Sequence, residues 1–315
     1  MTNFAFSFNV VAPLFVLMAT GYAVRQFRFV SGDFLTQLNR FVFKFLLPLM
    51  VFQEIRLSYG GDFSNLKLIG ASLAGVTAII LVSVAIVRLT VDRKGQRGSM
   101  IQGIYRSNFL IYGLPVATGM YGSEAATPIT MLMGIMIPFY NVAAVVILSL
   151  HSETDSRRPT LRTLLKGIAT NPLFLGSVLG VLSGAVHLEF PRWVELPAGQ
   201  LAATASPLAL FVMGGEFRFG RMGDNIRKVI AATLCRLIII PAVVLFICIR
   251  MGFRDVELSV LIALFATPTA LASYIMAGNM GNDGELSGQI VVSTTLFSCL
   301  TIFLIVFFMR GWGYL

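Results

Sequence analysis

Two prolines set inside apolar stretches are the residues through which this sequence could do chemistry. Pro115 follows Gly113-Leu114, and Pro268 stands between Thr267 and Thr269. Proline removes a backbone donor and clashes with the preceding turn, so an interior proline kinks or breaks a helix. Non-helical backbone at membrane depth survives only where protein or a water-filled cavity covers it. Two breaks facing each other would present free N–H groups and positive dipole ends, which suit a carboxylate or another small anion. Otherwise each proline merely kinks a packed helix. Their matched positions, each beside small polar residues, favour the site.

The neighbouring polar residues are weighed in the same way. Asn108, Tyr112 and Thr118 surround the first proline, Ser273 and Tyr274 follow the second, and Asn141 lies beside Tyr140 in an adjacent apolar run. A Ser or Thr in a membrane helix usually bonds its own backbone. Asn is costlier to leave in lipid and faces a partner or a cavity. Asn108 and Asn141 are therefore the leading ligands. Tyr112, Gly113, Pro115, Thr118, Thr267, Pro268, Thr269 and Ser273 complete the candidate substrate site. Lys44, Arg106 and Arg236 also fall inside apolar runs. They either snorkel to the interface or line an inward vestibule that attracts anions. Glu54 and Glu216 could carry protons or pair with a nearby base.

Other chemistries find little here. His151 and His187 sit near the ends of apolar runs, with no H-E-x-x-H motif, no G-x-S-x-G elbow and no phosphate-binding G-x-x-x-x-G-K-[ST] loop. Cys235, Cys248 and Cys299 have no metal-ligand spacing and read as free, buried thiols. The expectation is a non-enzyme with no cofactor, no metal and no nucleic-acid partner.

The elements that hold these residues follow from composition. Of 315 residues, 56% are hydrophobic and 12% charged, against about 45–50% and about 25% in a soluble domain. An all-α polytopic membrane protein is expected. Ten apolar segments lie at roughly 7–25, 36–55, 66–90, 100–121, 126–150, 168–188, 202–217, 229–251, 256–280 and 286–309. Ser31-Gly32-Asp33, Asn171-Pro172 and Asn282-Asp283-Gly284 mark their edges.

Lys and Arg set the orientation. Arg25, Arg28 and Arg40 lie between spans one and two, and Arg88, Arg93, Lys94 and Arg97 between three and four. Arg157, Arg158, Arg162 and Lys166 follow span five, and Arg218, Arg221, Arg227 and Lys228 follow span seven. All fall on one side, so both termini are expected outside the cytoplasm of a cell (inner) membrane. Pro48 and Pro207 are 159 residues apart, and Pro115 and Pro268 are 153 apart. With five spans per half, that period implies an inverted repeat. The boundaries are 1–150 for the first repeat, 151–167 for a cytoplasmic linker and 168–315 for the second.

Several segments resemble the auxin efflux carrier family. They are Asn39-Arg40-Phe41-Val42-Phe43-Lys44-Phe45-Leu46-Leu47-Pro48, Arg106-Ser107-Asn108-Phe109 with Gly113-Leu114-Pro115, Asn171-Pro172, Ser206-Pro207-Leu208-Ala209-Leu210 and Ala266-Thr267-Pro268-Thr269-Ala270. The resemblance runs over essentially the whole chain and rests on the combination in this order. It implies ten helices in two inverted repeats, with helices 4 and 9 broken at Pro115 and Pro268 and crossing near the midplane. It further implies an alternating-access carrier of small carboxylates, such as auxin, malate or malonate. A homodimer is implied, with a scaffold of helices 1, 2, 6 and 7 and a transport part of 3–5 and 8–10. Asn108 takes the place of the family's asparagine before the first break. Ala272 departs from the pattern, since many bacterial relatives carry Asn there, and the short basic loop at 151–166 lacks the long loop of many plant exporters. Proton coupling is open, and so is sodium coupling of the kind seen in the similar bile-acid symporters.

Overall fold

The computed structural model describes residues 2–58, 65–153, 161–217 and 222–315. Arg157, Arg158, Arg218 and Arg221 lie outside the described residues. Helices follow one another through short connections: α1 Thr2–Gln26, α2 Gly32–Leu57, α3 Leu66–Thr90, α4 Lys94–Tyr105, α5 Leu114–Tyr121, α6 Ser123–His151 and α7 Leu161–Ala169. Then come α8 Pro172–Ala185, α9 Arg192–Glu216, α10 Gly223–Arg250, α11 Asp255–Phe265, α12 Leu271–Asn279 and α13 Gly284–Gly311. Among the described residues, α2, α3, α6, α9, α10 and α13 are long and apolar enough to cross a membrane. The apolar segments at 100–121 and 256–280 are each divided, into α4 and α5 and into α11 and α12.

The turn signals act as helix caps. The Phe34 N–H donates to Ser31 Oγ (3.0 Å) at the start of α2, and the Leu286 N–H to Asp283 Oδ1 (2.9 Å) at the start of α13. Asn171 Oδ1 accepts from the N–H groups of Leu173 (3.0 Å) and Phe174 (3.2 Å), while Pro172 takes the first helical position, where a missing donor costs nothing.

Lipid gives helices no hydrophobic reason to associate, so membrane helices pack where small residues let backbones approach. The contact of α1 with α9 has this form. A β-carbon added at Gly21 would stand 1.9 Å from Phe211 O, and one at Gly214 1.9 Å from Met18 O. Helix α2 packs the same way on α8, where a β-carbon at Gly176 would lie 2.5 Å from Pro48 O. Helices α1, α2, α8 and α9 thus form one packed group. A second group gathers around α4 and α11, which are buried along most of their length. Helix α11 is apolar on nearly every side and belongs in such an interior, whereas α4 brings Gln96, Ser99 and Gln102 into it along with its glycines.

Candidate functional site

The two divided segments meet backbone to backbone. Arg106, Ser107 and Asn108 leave the helix after α4, and a π-helical turn at Phe109–Gly113 leads into α5. Opposite them, Ala266 to Ala270 separate α11 from α12. Ser107 and Thr269 form an isolated antiparallel bridge. The Asn108 N–H donates to Pro268 O (2.8 Å), and the Ala270 N–H to Arg106 O (3.0 Å).

Each helix end leaves its last four carbonyls without intrahelical partners, and in lipid these must be satisfied by protein. At the end of α4 all four find a donor. Gln102 O accepts from the Arg106 N–H (3.0 Å), and Gly103 O from the Thr269 hydroxyl (2.6 Å). Ile104 O and Tyr105 O accept from Arg236 Nη1, at 3.4 and 3.2 Å. At the end of α11, Ala263 O accepts from the Thr267 hydroxyl (2.8 Å), Leu264 O from Arg236 Nη2 (3.2 Å) and Thr267 O from Arg236 Nε (2.9 Å). The Ser107 hydroxyl sits 2.6 Å from that of Thr267.

A directional chain of hydrogen bonds leaves the first break. Arg106 Nη2 donates to Asn141 Oδ1 (2.7 Å), Asn141 Nδ2 to Ser177 Oγ (2.8 Å), and the Ser177 hydroxyl to Leu173 O (2.8 Å). Arg106 Nη1 reaches Met276 Sδ at 2.8 Å. Beside this chain lies a cavity of about 60 Å³ bordered by Arg106, Ser107, Asn108, Tyr140, Asn141, Ser206 and Ala270 to Ala272, with Leu47, Met50, Val51 and Leu173 as its apolar wall. Arg106 is 5% exposed and Arg236 0%. The ion pairs among the described residues are Arg56–Glu195 and Arg93–Glu153, so neither buried guanidinium has a carboxylate partner.

A larger cavity of about 650 Å³ opens between the end of α1, the start of α2, the end of α9, one face of α12 and the start of α13. Arg25, Asn39, Glu216, Tyr274 and Gln289 border it. The Tyr274 hydroxyl donates to Glu216 across α12 and α9, and both polar atoms of the Gln289 side chain are buried without a partner.

The structure divides the expected site residues. Asn108 and Asn141 line the small cavity. Thr267, Pro268 and Thr269 lie in the second break and stitch the two segments together. Pro115 belongs to the first turn of α5, and the interruption falls at Arg106 to Asn108. Tyr112, Gly113, Pro115, Thr118 and Ser273 do not border the cavity; Tyr112 is buried with its hydroxyl unbonded, and Thr118 bonds Leu114 O (2.8 Å). The Ser273 hydroxyl is likewise buried without a partner. The three cations do not converge on one vestibule: Lys44 is exposed on α2, Arg106 lines the cavity and Arg236 holds backbone carbonyls. Glu54 is exposed on α2, and its neighbour Arg56 pairs instead with Glu195. Of the cysteines, all free, Cys248 is buried and Cys235 and Cys299 are half-buried. Sequence reasoning missed Ser177, whose only local signal is one hydroxyl in the glycine-rich run Gly176-Ser177-Val178-Leu179-Gly180.

Long apolar helices, helix breaks covered by protein and buried polar groups paired along them define a multi-pass membrane protein. The chain matches the family described as membrane transport protein over residues 6–306 and belongs to it. A putative malonate transporter of Rhizobium meliloti is 21% identical over 96% of both chains. Auxin efflux carrier component 8 of Arabidopsis thaliana is 32% identical over 38% of this chain and 34% of its own length. An uncharacterized transporter of Methanothermobacter thermautotrophicus is 23% identical over 94% of this chain and 96% of its own. The protein is a membrane transporter.

Proposed function

We propose that the chain is a secondary carrier of a small organic anion, working by elevator-type alternating access. One observation carries this reading: the Arg106 guanidinium is buried without a carboxylate beside a small cavity edged by Asn108, Asn141, Ser107 and Ser206. A buried charge is costly unless it is paired. A substrate carboxylate would supply the missing negative charge, and the first turn of α12, from Leu271, would add free N–H groups. About 60 Å³ is the space of about two waters. That accommodates one carboxylate, with the rest of the acid against Leu47, Met50 and Val51.

The matched prolines support ten spans in two inverted repeats, 1–150 and 168–315, joined by the linker 151–167. The close packing of α1, α2, α8 and α9 supports a scaffold of spans 1, 2, 6 and 7, past which the remaining spans carry the crossing breaks. The basic loops support both termini outside the cytoplasm of the cell membrane, and the resemblance supports a homodimer. The names of the relatives, malonate and auxin carriers, support a small carboxylate as substrate.

The test is uptake by proteoliposomes of labelled malonate, malate, citrate and indole-3-acetate, with and without an imposed pH gradient. Saturable uptake of one acid, lost in Arg106→Gln, is expected. Its acceleration by the gradient would identify proton coupling, and indifference would point to exchange or potential-driven flux. No flux of any acid by folded protein would end the reading and leave a membrane sensor that binds an acid without moving it.

A further inference from the structure

Arg236 sits where a transporter of broken helices would otherwise hold a mobile cation. Unwound backbone carbonyls and half-helix C-terminal ends are the groups that coordinate coupling cations in secondary carriers. Here the carbonyls of Ile104 and Tyr105 from α4, of Leu264 from the end of α11 and of Thr267 from the second break all turn toward one place, where the Arg236 guanidinium meets them. The negative dipole ends of α4 and α11 meet there. Arg236 fills this place with its guanidinium, donating through Nε, Nη1 and Nη2. Its side chain projects from the π-helical turn Cys235–Ile239 of α10 and is wholly enclosed.

We infer that the carbonyl cluster at the meeting of the two breaks is a monovalent-cation site that the chain occupies permanently with Arg236. Arg236 is a positioning residue: its fixed charge clamps both half-helix ends, so the breaks keep their geometry whatever cation is in solution. Van der Waals packing alone does not account for the arrangement, because an apolar side chain would leave these carbonyls unsatisfied in a water-free interior. A lysine could supply the charge but not the planar fork that reaches carbonyls of two segments at once.

The experiment uses the purified full chain in detergent and reads thermal unfolding in sodium, potassium, choline and guanidinium chlorides at equal millimolar concentration. The wild type is expected to melt at the same temperature in all four. Arg236→Ala is expected to melt several degrees lower in choline and to recover part of the loss in guanidinium or sodium, which enter the emptied cluster. Arg236→Lys, which keeps a cation, is expected to melt between the two and to be indifferent to sodium. The inference is overturned by sodium-specific stabilisation of the wild type, by an alanine variant that folds and responds to no cation, or by a lysine variant no more stable than alanine. These melting readouts need no substrate. If no acid is carried in the vesicle assay, the proposed function fails while this comparison still decides the role of Arg236. If an acid is carried, its uptake by the wild type is expected to be unchanged when choline replaces sodium.

Discussion

The Arg106 guanidinium lies 2.7 Å from Oδ1 of Asn141, and this bond ties the first helix break to α6. The asparagine accepts without neutralising the charge, so Arg106 keeps its positive potential at the cavity. That distinction makes Asn141→Asp informative. An aspartate at the same place gives Arg106 an internal counter-ion within salt-bridge distance and removes its call on a substrate anion. Hydrogen bonds to charged groups are worth about 1.5–3 kcal/mol. Asn141→Asp is therefore expected to keep the fold and lower kcat/KM for acid uptake about tenfold or more. An Asn141→Asp carrier with wild-type uptake would show that Arg106 does not meet the substrate.

The contact of Gly21 and Gly214 predicts a stability effect remote from the site. Each glycine faces a carbonyl of the other helix so closely that no β-carbon fits. Overpacking typically costs about 1–3 kcal/mol, and here the opposing atoms are backbone, which cannot rotate away. Gly214→Val is expected to lower the melting temperature clearly, and Gly199→Val, on the same helix with open space around it, to leave it nearly unchanged. Equal melting of the two variants would contradict the close packing of α1 on α9.

The break at Pro268 can be read from the chain because Thr-Pro-Thr offers both a missing donor and hydroxyls to repair the exposed carbonyls. Thr267 and Thr269 do make those repairs, on Ala263 O and Gly103 O. The first break is not legible in the same way. Arg106-Ser107-Asn108 contains no helix breaker, and its non-helical backbone is set by pairing with residues more than 150 positions away, through Ser107 and Thr269. Pro115 is a local signal that the tertiary structure absorbs into a helix start. Arg236 is similar: hydropathy marks it as an intruder in an apolar run, but only the meeting of α4 and α11 reveals what it is for. Asn108 and Asn141, which border the cavity, can be singled out from the chain because the cost of an amide in lipid is a one-residue argument that needs no neighbour.

This asymmetry between the prolines gives a direct comparison. Pro115 sits in the first turn of α5, where the absent N–H costs little. Pro268 fixes the backbone whose carbonyl accepts the Asn108 N–H at 2.8 Å. Pro115→Ala is expected to retain most of the acid uptake, and Pro268→Ala to lose most of it. The reverse order, or an equal loss, would show that transport depends on the turn at Pro115 at least as much as on the break at Pro268.

Ala272 lines the cavity from the first turn of α12, so a larger polar residue there changes both the room and the hydrogen-bonding capacity. Asparagine at this position would spend part of the roughly 60 Å³ and present an amide to the acid. One added hydrogen bond is worth about 1 kcal/mol net, or about fivefold in binding. A compact dicarboxylate can use that donor, whereas an acid with a bulky ring loses the space the amide takes. Ala272→Asn is therefore expected to raise the ratio of malonate to indole-3-acetate uptake about fivefold, measured as competing kcat/KM values in the same vesicles. An unchanged ratio, from protein that melts like the wild type, would mean that the substrate does not reach Ala272 and that the acid lies on the α6 side of the cavity, against Asn141 and Tyr140.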